Sequence, residues 1–201
     1  MQRNTDFILL QFSLDEASAP ALAEAVASYC AQCPVPVSLQ RLVWSQPTQT
    51  AYLYARLLER TLLDANGLPR LAAVWAQACA QARDIRVSRL EKMFDIEGHS
   101  RVEAAPFHYV VEMDPENGWA PEIARWYDTE HMPGLAGVPG CVHAMRLRNH
   151  DHGPLSLACY DLMTAQTLGS PAWLAVRSTP WSDITRPHFT NTKRTMFEVM
   201  A

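Results

Sequence analysis

The chain has 201 residues, 48% hydrophobic and 19% charged, which fits one globular domain or two small ones and excludes disorder, collagen and coiled coil. With 17 Lys and Arg against 21 Asp and Glu the net charge is −4, without the basic excess or stripe of a nucleic-acid binder. No apolar run approaches the roughly 18 residues of a membrane span, and five cysteines, an odd number, read as free thiols in a reducing cytoplasm.

The N-terminal segment reaches only six residues of apolar character, 7–12 (FILLQF), without the core and cleavage site of a signal peptide; these residues read as a short buried strand. Ser18 and Pro20 stand where an N-cap and first helical turn belong, ahead of ALAEAVASYCAQC. Residues 35–44 and 51–58 read as strands around a Gln46-Pro47 turn. Gly67 and Pro69 then punctuate before a second helix, LPRLAAVWAQACAQA, and a strand over 86–96 closes the half. After a linker, 97–105, the order repeats. A strand covers 107–113, a helix runs from Pro121 through PEIARWYDTEHM, strands cover 140–149 and 155–162, a shorter helix covers 171–177, and a last strand covers 192–199.

Two motif pairs support the repeat. Met93-Phe94-Asp95-Ile96 and Met196-Phe197-Glu198-Val199 are 103 residues apart, as are Val35-Pro36 and Val138-Pro139. This predicts a tandem duplication of β-α-β-β-α-β units, an α+β fold of two fused ferredoxin-like halves. The halves are 1–97 and 106–201. Units this small leave a sheet face uncovered, so two sheets packing face to face is the economical arrangement.

The most unusual segment is Trp126-Tyr127-Asp128-Thr129-Glu130-His131-Met132-Pro133. Regular helical spacing puts Ile123, Trp126, Tyr127, Glu130 and His131 on one face, so an ionisable pair joins a core-facing stripe. Imidazole is the natural proton carrier near neutral pH. The spacing alone equally allows a core histidine bonded to a carbonyl, with Glu130 pairing an arginine. Trp126 and Tyr127 could wall an aromatic pocket or simply pack. Arg146 could hold a carboxylate or enolate, or sit in an ion pair. Tyr160 could donate a phenolic proton or fill the core. The segment 178–191, rich in Trp, Arg, His and Asn, could close over a pocket and offers His188. Cys30-Ala-Gln-Cys33 lies at a helix end, where a low-pKa thiol is not expected, and His150-Asp151-His152 reads as a solvated turn. No metal site is expected.

The stretch WYDTEHMPGLAGVPG, followed by CVHAMRLRN, resembles the dimeric α+β barrel superfamily, in its EthD-like and methylmuconolactone-isomerase-like branches. These share a helix-ending His, a Met-Pro or Leu-Pro, and a Pro-Gly entering the second strand. SPAWLAVRSTPWSDITRPHFTN is similar to EthD-like bacterial proteins. The resemblance covers 107–199, and the first half only through the repeat. It implies a pseudo-dimeric barrel and proton transfer at His131. It also implies cofactor-independent isomerisation, cyclisation, dehydration, decarboxylation or oxygenation of small aromatic or polyketide-like molecules, although some members are binding or stress modules.

The expectation is therefore an isomerase, lyase or cyclase of a small aromatic or unsaturated acid, needing no cofactor. His131 acts as general acid/base with Glu130, and Trp126, Tyr127, Arg146, Tyr160 and His188 bind substrate. A non-catalytic binding module and a cofactor-free monooxygenase are the alternatives. Residues 1–98 contain no histidine, so the first half is expected to lack a site. Partners are a small-molecule substrate, no nucleic acid and no membrane, with a homodimer left open.

Overall fold

The structure, a computed structural model, describes residues 1–17 and 19–200; the N-cap expected of Ser18 lies outside the described residues. Among the described residues, eight strands follow the expected α+β order, and six helices stand where four were expected. The first half comprises β1 (Gln2–Ser13), α1 (Ala19–Gln32), β2 (Val37–Ser45), β3 (Thr50–Asp64), α2 (Leu68–Ala78) and β4 (Arg83–Glu97). The second comprises β5 (Phe107–Pro115), α3 (Ala120–Trp126), α4 (Met132–Ala136), β6 (Cys141–Asn149), β7 (Ser156–Leu162), α5 (Pro171–Arg177), α6 (Pro180–Thr185) and β8 (Phe189–Val199). The sheet order is β4-β1-β3-β2 in one half and β8-β5-β7-β6 in the other, the fourth-first-third-second order of a ferredoxin-like unit.

Two differences from the expected elements have local causes. β3 runs past Leu57 to Asp64, its far end pairing with residues Gln2 to Thr5 of β1. Leu58 and Leu62 are exposed there, so no apolar alternation announces the arm. Within 178–191, expected to be irregular, Thr179 accepts from Ser182 N and caps α6, with Pro180 in its first turn. Six residues are too few to show a helical period.

The chain forms two compact units. The first holds Met1–Lys92, Asn149–His152 and Phe197–Ala201; the second holds Met93–Arg148 and Gly153–Met196. In the first, Phe7, Ile8, Leu9 and Leu10 are all buried, because this strand is covered on both faces. Ile8, Leu10 and Phe12 pack with Leu22, Val26 and Tyr29 of α1 and Leu71 and Trp75 of α2. Trp75 centres that core, its ring 5.1 Å from Phe12 and 5.7 Å from Tyr29. Val43 and Trp44 of β2 pair with Val199 and Glu198 at the end of β8.

Also within the first unit, the β6–β7 turn is held by buried Arg89. Its guanidinium donates to both Asp151 oxygens at 3.1 and 2.7 Å, and to the carbonyls of Met1 and Leu63.

The second unit packs Ile123, Trp126, Tyr127 and Leu135 onto Tyr109, Ala158 and Tyr160, with Trp173 of α5 closing the layer. The segment after β4 docks here too. Gly98 N donates to Val142 O, His99 N to Ala136 O and Ser100 N to Cys141 O. A Cβ on Gly98 would lie 2.2 Å from the Cys141 carbonyl oxygen, so this approach requires glycine.

Candidate functional site

All functional geometry below lies in the second unit. Between α3 and α4 the helix widens into one π turn, Tyr127–His131. Such a turn brings residues five apart into register, and the His131 ring accordingly stacks on Trp126, centroids 4.1 Å apart and 23° from parallel. Tyr127 meets it edge-on at 5.6 Å. The extra residue per turn keeps His131 inward and rotates Glu130 away. Glu130 instead accepts from the Thr179 hydroxyl at 2.6 Å. The even helical spacing of the sequence placed the two on one face; the π turn separates them.

His131 lines a recess of about 370 Å³, counted out to its open mouth, together with Tyr109 and Val111 of β5, Tyr160 of β7 and Trp126, Tyr127 and Leu135. Trp173 and Arg177 of α5, Arg186 after α6, and Phe189 and Arg194 of β8 complete the lining. The space free inside it is narrow, about 30 Å³, so a ring-sized ligand enters only as the lining side chains shift. Six aromatic rings form the walls, and no carboxylate belongs to the lining.

The polar atoms here are distinctive. His131 Nδ1, Trp126 Nε1 and Trp173 Nε1 are all buried without a hydrogen-bond partner, and buried polar atoms normally have one. The Tyr160 hydroxyl is occupied, donating to Met132 Sδ at 3.1 Å, and burial pushes its pKa up. Burial, reinforced by Arg177 and Arg186, pushes His131 down to about 3, so it stands neutral at physiological pH. Arg186 is itself pushed down, first by burial and then by Arg177 and Arg194. Among the described residues none of the three arginines has a carboxylate within ion-pair distance, although Asp183 acts on Arg186 from further away.

The structure thus brings together His131, Trp126, Tyr127 and Tyr160 of the residues expected at the site, and leaves three elsewhere. Glu130 is on Thr179. Arg146 is locked to Asp128 by three contacts of 2.7, 2.8 and 3.1 Å, behind the Tyr127 ring; helix and strand lie close enough there for a bidentate pair. His188 stacks on Trp119 at 3.4 Å and bonds Glu116 at 2.6 Å. The segment 178–191 does reach the recess, but through Arg186 and Phe189. Arg177 and Arg194 also escaped the sequence. Asn191 has φ 49° and interrupts the strand alternation, so Phe189 and Arg194, of opposite parity, face one recess.

Residues read as structural take such places. The five cysteines are free, and burial raises the Cys30 thiol. Asp151 holds Arg89. Among the described residues no group of three His, Cys, Asp or Glu is arranged to hold a metal ion, and no helix is long and apolar enough to cross a membrane.

No family model and no curated protein matches the chain in sequence. Solved structures match it in fold. One is a monooxygenase candidate from Lactobacillus acidophilus NCFM, with 11% identity, a TM-score of 0.64, and 99% of this chain and 95% of that one covered. A second is an anthrone oxidase-like protein, with 13% identity, a TM-score of 0.65, and 98% and 92% covered. A third, with 9% identity, a TM-score of 0.52, and 98% and 95% covered, is a ferredoxin-fold protein related to antibiotic biosynthesis monooxygenases from Listeria monocytogenes 4b F2365. At these identities the likeness is one of fold: over nearly its whole length the chain carries the ferredoxin-like α+β fold of monooxygenase-like proteins.

Proposed function

We propose that the chain is a cofactor-independent enzyme that deprotonates a small aromatic or polyketide-like molecule in the recess and lets the resulting anion react with oxygen. The observation that supports this is the unpartnered Nδ1 of a buried, neutral His131 in an aromatic-walled recess that Arg177 and Arg186 also line. A neutral imidazole can accept a proton, and the arginines hold the anion that forms. His131 takes the proton from an activated CH₂ at Nδ1. The carbanion passes one electron to O₂, and radical and superoxide combine into a peroxide anion. Imidazolium returns the proton, and loss of water across the O–O bond gives a ketone, so that CH₂ and O₂ become C=O and H₂O. Fold likeness to monooxygenase-like proteins favours this outcome over isomerisation, elimination or cyclisation, which share the first step.

Within the same reading the chain is a tandem duplication in which only the second half keeps a site. The residue eight before Pro139 is His131, whereas the one eight before Pro36 is Ser28, which accepts from Gln32 on α1.

The test follows ultraviolet spectra of aromatic acids, anthrones and naphthols with purified protein, under air and under nitrogen, alongside His131→Ala. Turnover under air should fall about 10²–10⁴-fold in the variant, the usual worth of a positioned proton carrier. Turnover that survives nitrogen points to isomerase, lyase or cyclase chemistry. Unchanged turnover in the variant refutes the assignment of His131. Saturable binding without turnover identifies a binding module.

A further inference from the structure

Five of the polar groups that line the recess share one property. Arg177, Arg186 and Arg194 can only donate hydrogen bonds, and so can the two unpartnered indole N–H groups of Trp126 and Trp173. His131 adds an imidazole. No acidic side chain balances the three positive charges within the lining, and Arg186 feels both other arginines. Such a cluster is costly when empty of counter-charge, and a bound anion relieves it. The charges are also graded in exposure. His131 is buried, Arg177 and Arg186 are half-buried, and Arg194 is exposed.

Resting on the reading of this recess as the substrate site, we infer that its ligand is an aromatic carboxylate: the ring lies among Trp126, Tyr127 and Tyr160, and the carboxylate sits among Arg177, Arg186 and Arg194. A guanidinium fork matches a carboxylate bidentately. The carboxylate does more than anchor. It offsets the field of Arg177 and Arg186 on His131, so the imidazole becomes a stronger base when the correct ligand is in place. The other titratable groups near that ring are Tyr127 of its own turn, which meets it edge-on, and Tyr109 and Tyr160 of the sheet, which line the same recess.

The experiment titrates wild-type protein with 2-naphthoate, its methyl ester and 2-naphthyl phosphate, following tryptophan emission, and follows the His131 ring by NMR. Naphthoate is expected to bind at least about 10-fold tighter than the ester, the scale of one or two charge-assisted contacts. It should also raise the His131 pKa, which the ester should not. Arg177→Gln, Arg186→Gln and the exposed-site variant Arg194→Gln should each erase much of the preference, with unfolding midpoints reporting that the fold is kept. Equal binding of acid and ester, no binding of the acid, or retention of the preference in all three variants overturns the proposal; tighter binding of the phosphate overturns the assignment of a carboxylate. None of these readouts needs turnover. Selective binding with no oxygen-dependent chemistry would therefore refute the oxygenase while leaving this inference standing, and turnover of neutral substrates alone would do the reverse.

Discussion

His131 and His143 occupy the same unit and titrate in opposite directions. His143 bonds Asp95 through Nε2 at 2.5 Å and faces Asp161 through Nδ1 at 3.7 Å; the Asp161 contact, ahead of Asp95 and against burial, raises its pKa. A histidine raised in the folded state binds its proton there more tightly than in the unfolded chain. The stability it lends is complete below about pH 6.5 and is lost as pH rises through the folded value. His131, held down to about 3, does the reverse. Between about pH 6.5 and 3 the unfolded chain takes up a proton that the native state refuses, so stability falls on acidification at up to about 1.4 kcal/mol per pH unit. Urea unfolding from pH 4 to 9 should show both limbs. His143→Gln should flatten the alkaline limb and His131→Gln the acidic one.

At the scale of elements, the corner between α4 and β6 depends on a glycine from outside both. Gly98→Ala pushes a methyl into the Cys141 carbonyl, and displacing backbone in a packed site costs about 1–3 kcal/mol. A matching drop in thermal midpoint is expected, and an unchanged midpoint would show that the segment after β4 yields freely. The elements themselves were largely legible in the sequence. FILLQF, the Pro-led helices and the MFDI and MFEV segments marked strands and helices, because burial and capping are local in the chain. The π turn was not legible, since regular spacing assumes 3.6 residues per turn, and one widened turn moved Glu130 off the face that keeps His131. The arginines escaped for a related reason. They come from a helix end, a short 3-10 turn and a strand whose alternation Asn191 breaks, so no single period links them. That Trp126, Tyr127, His131 and Tyr160 share one recess was legible because an aromatic stripe on one helix and an inward strand position need no knowledge of the tertiary fold.

At the scale of the whole molecule, neither compact unit is an unbroken piece of chain. The first takes Asn149–His152 and Phe197–Ala201 from the second half of the sequence. Burial pushes the Asp151 carboxyl up, but the side-chain and backbone bonds of Arg89 outweigh it, and the net shift is down. Removing one member of a buried pair costs about 3–5 kcal/mol. Asp151→Asn should therefore destabilise the first unit, read as faster amide exchange in β1 and β4, while the recess of the second keeps its ligand affinity. This ties the inheritance of the two halves together. A gene rearrangement that supplied a fresh second half, however good its pocket, would have to bring an acid for Arg89 in its β6–β7 turn and a C-terminal strand to pair with β2. The halves can diverge in what they bind, but they cannot be exchanged separately.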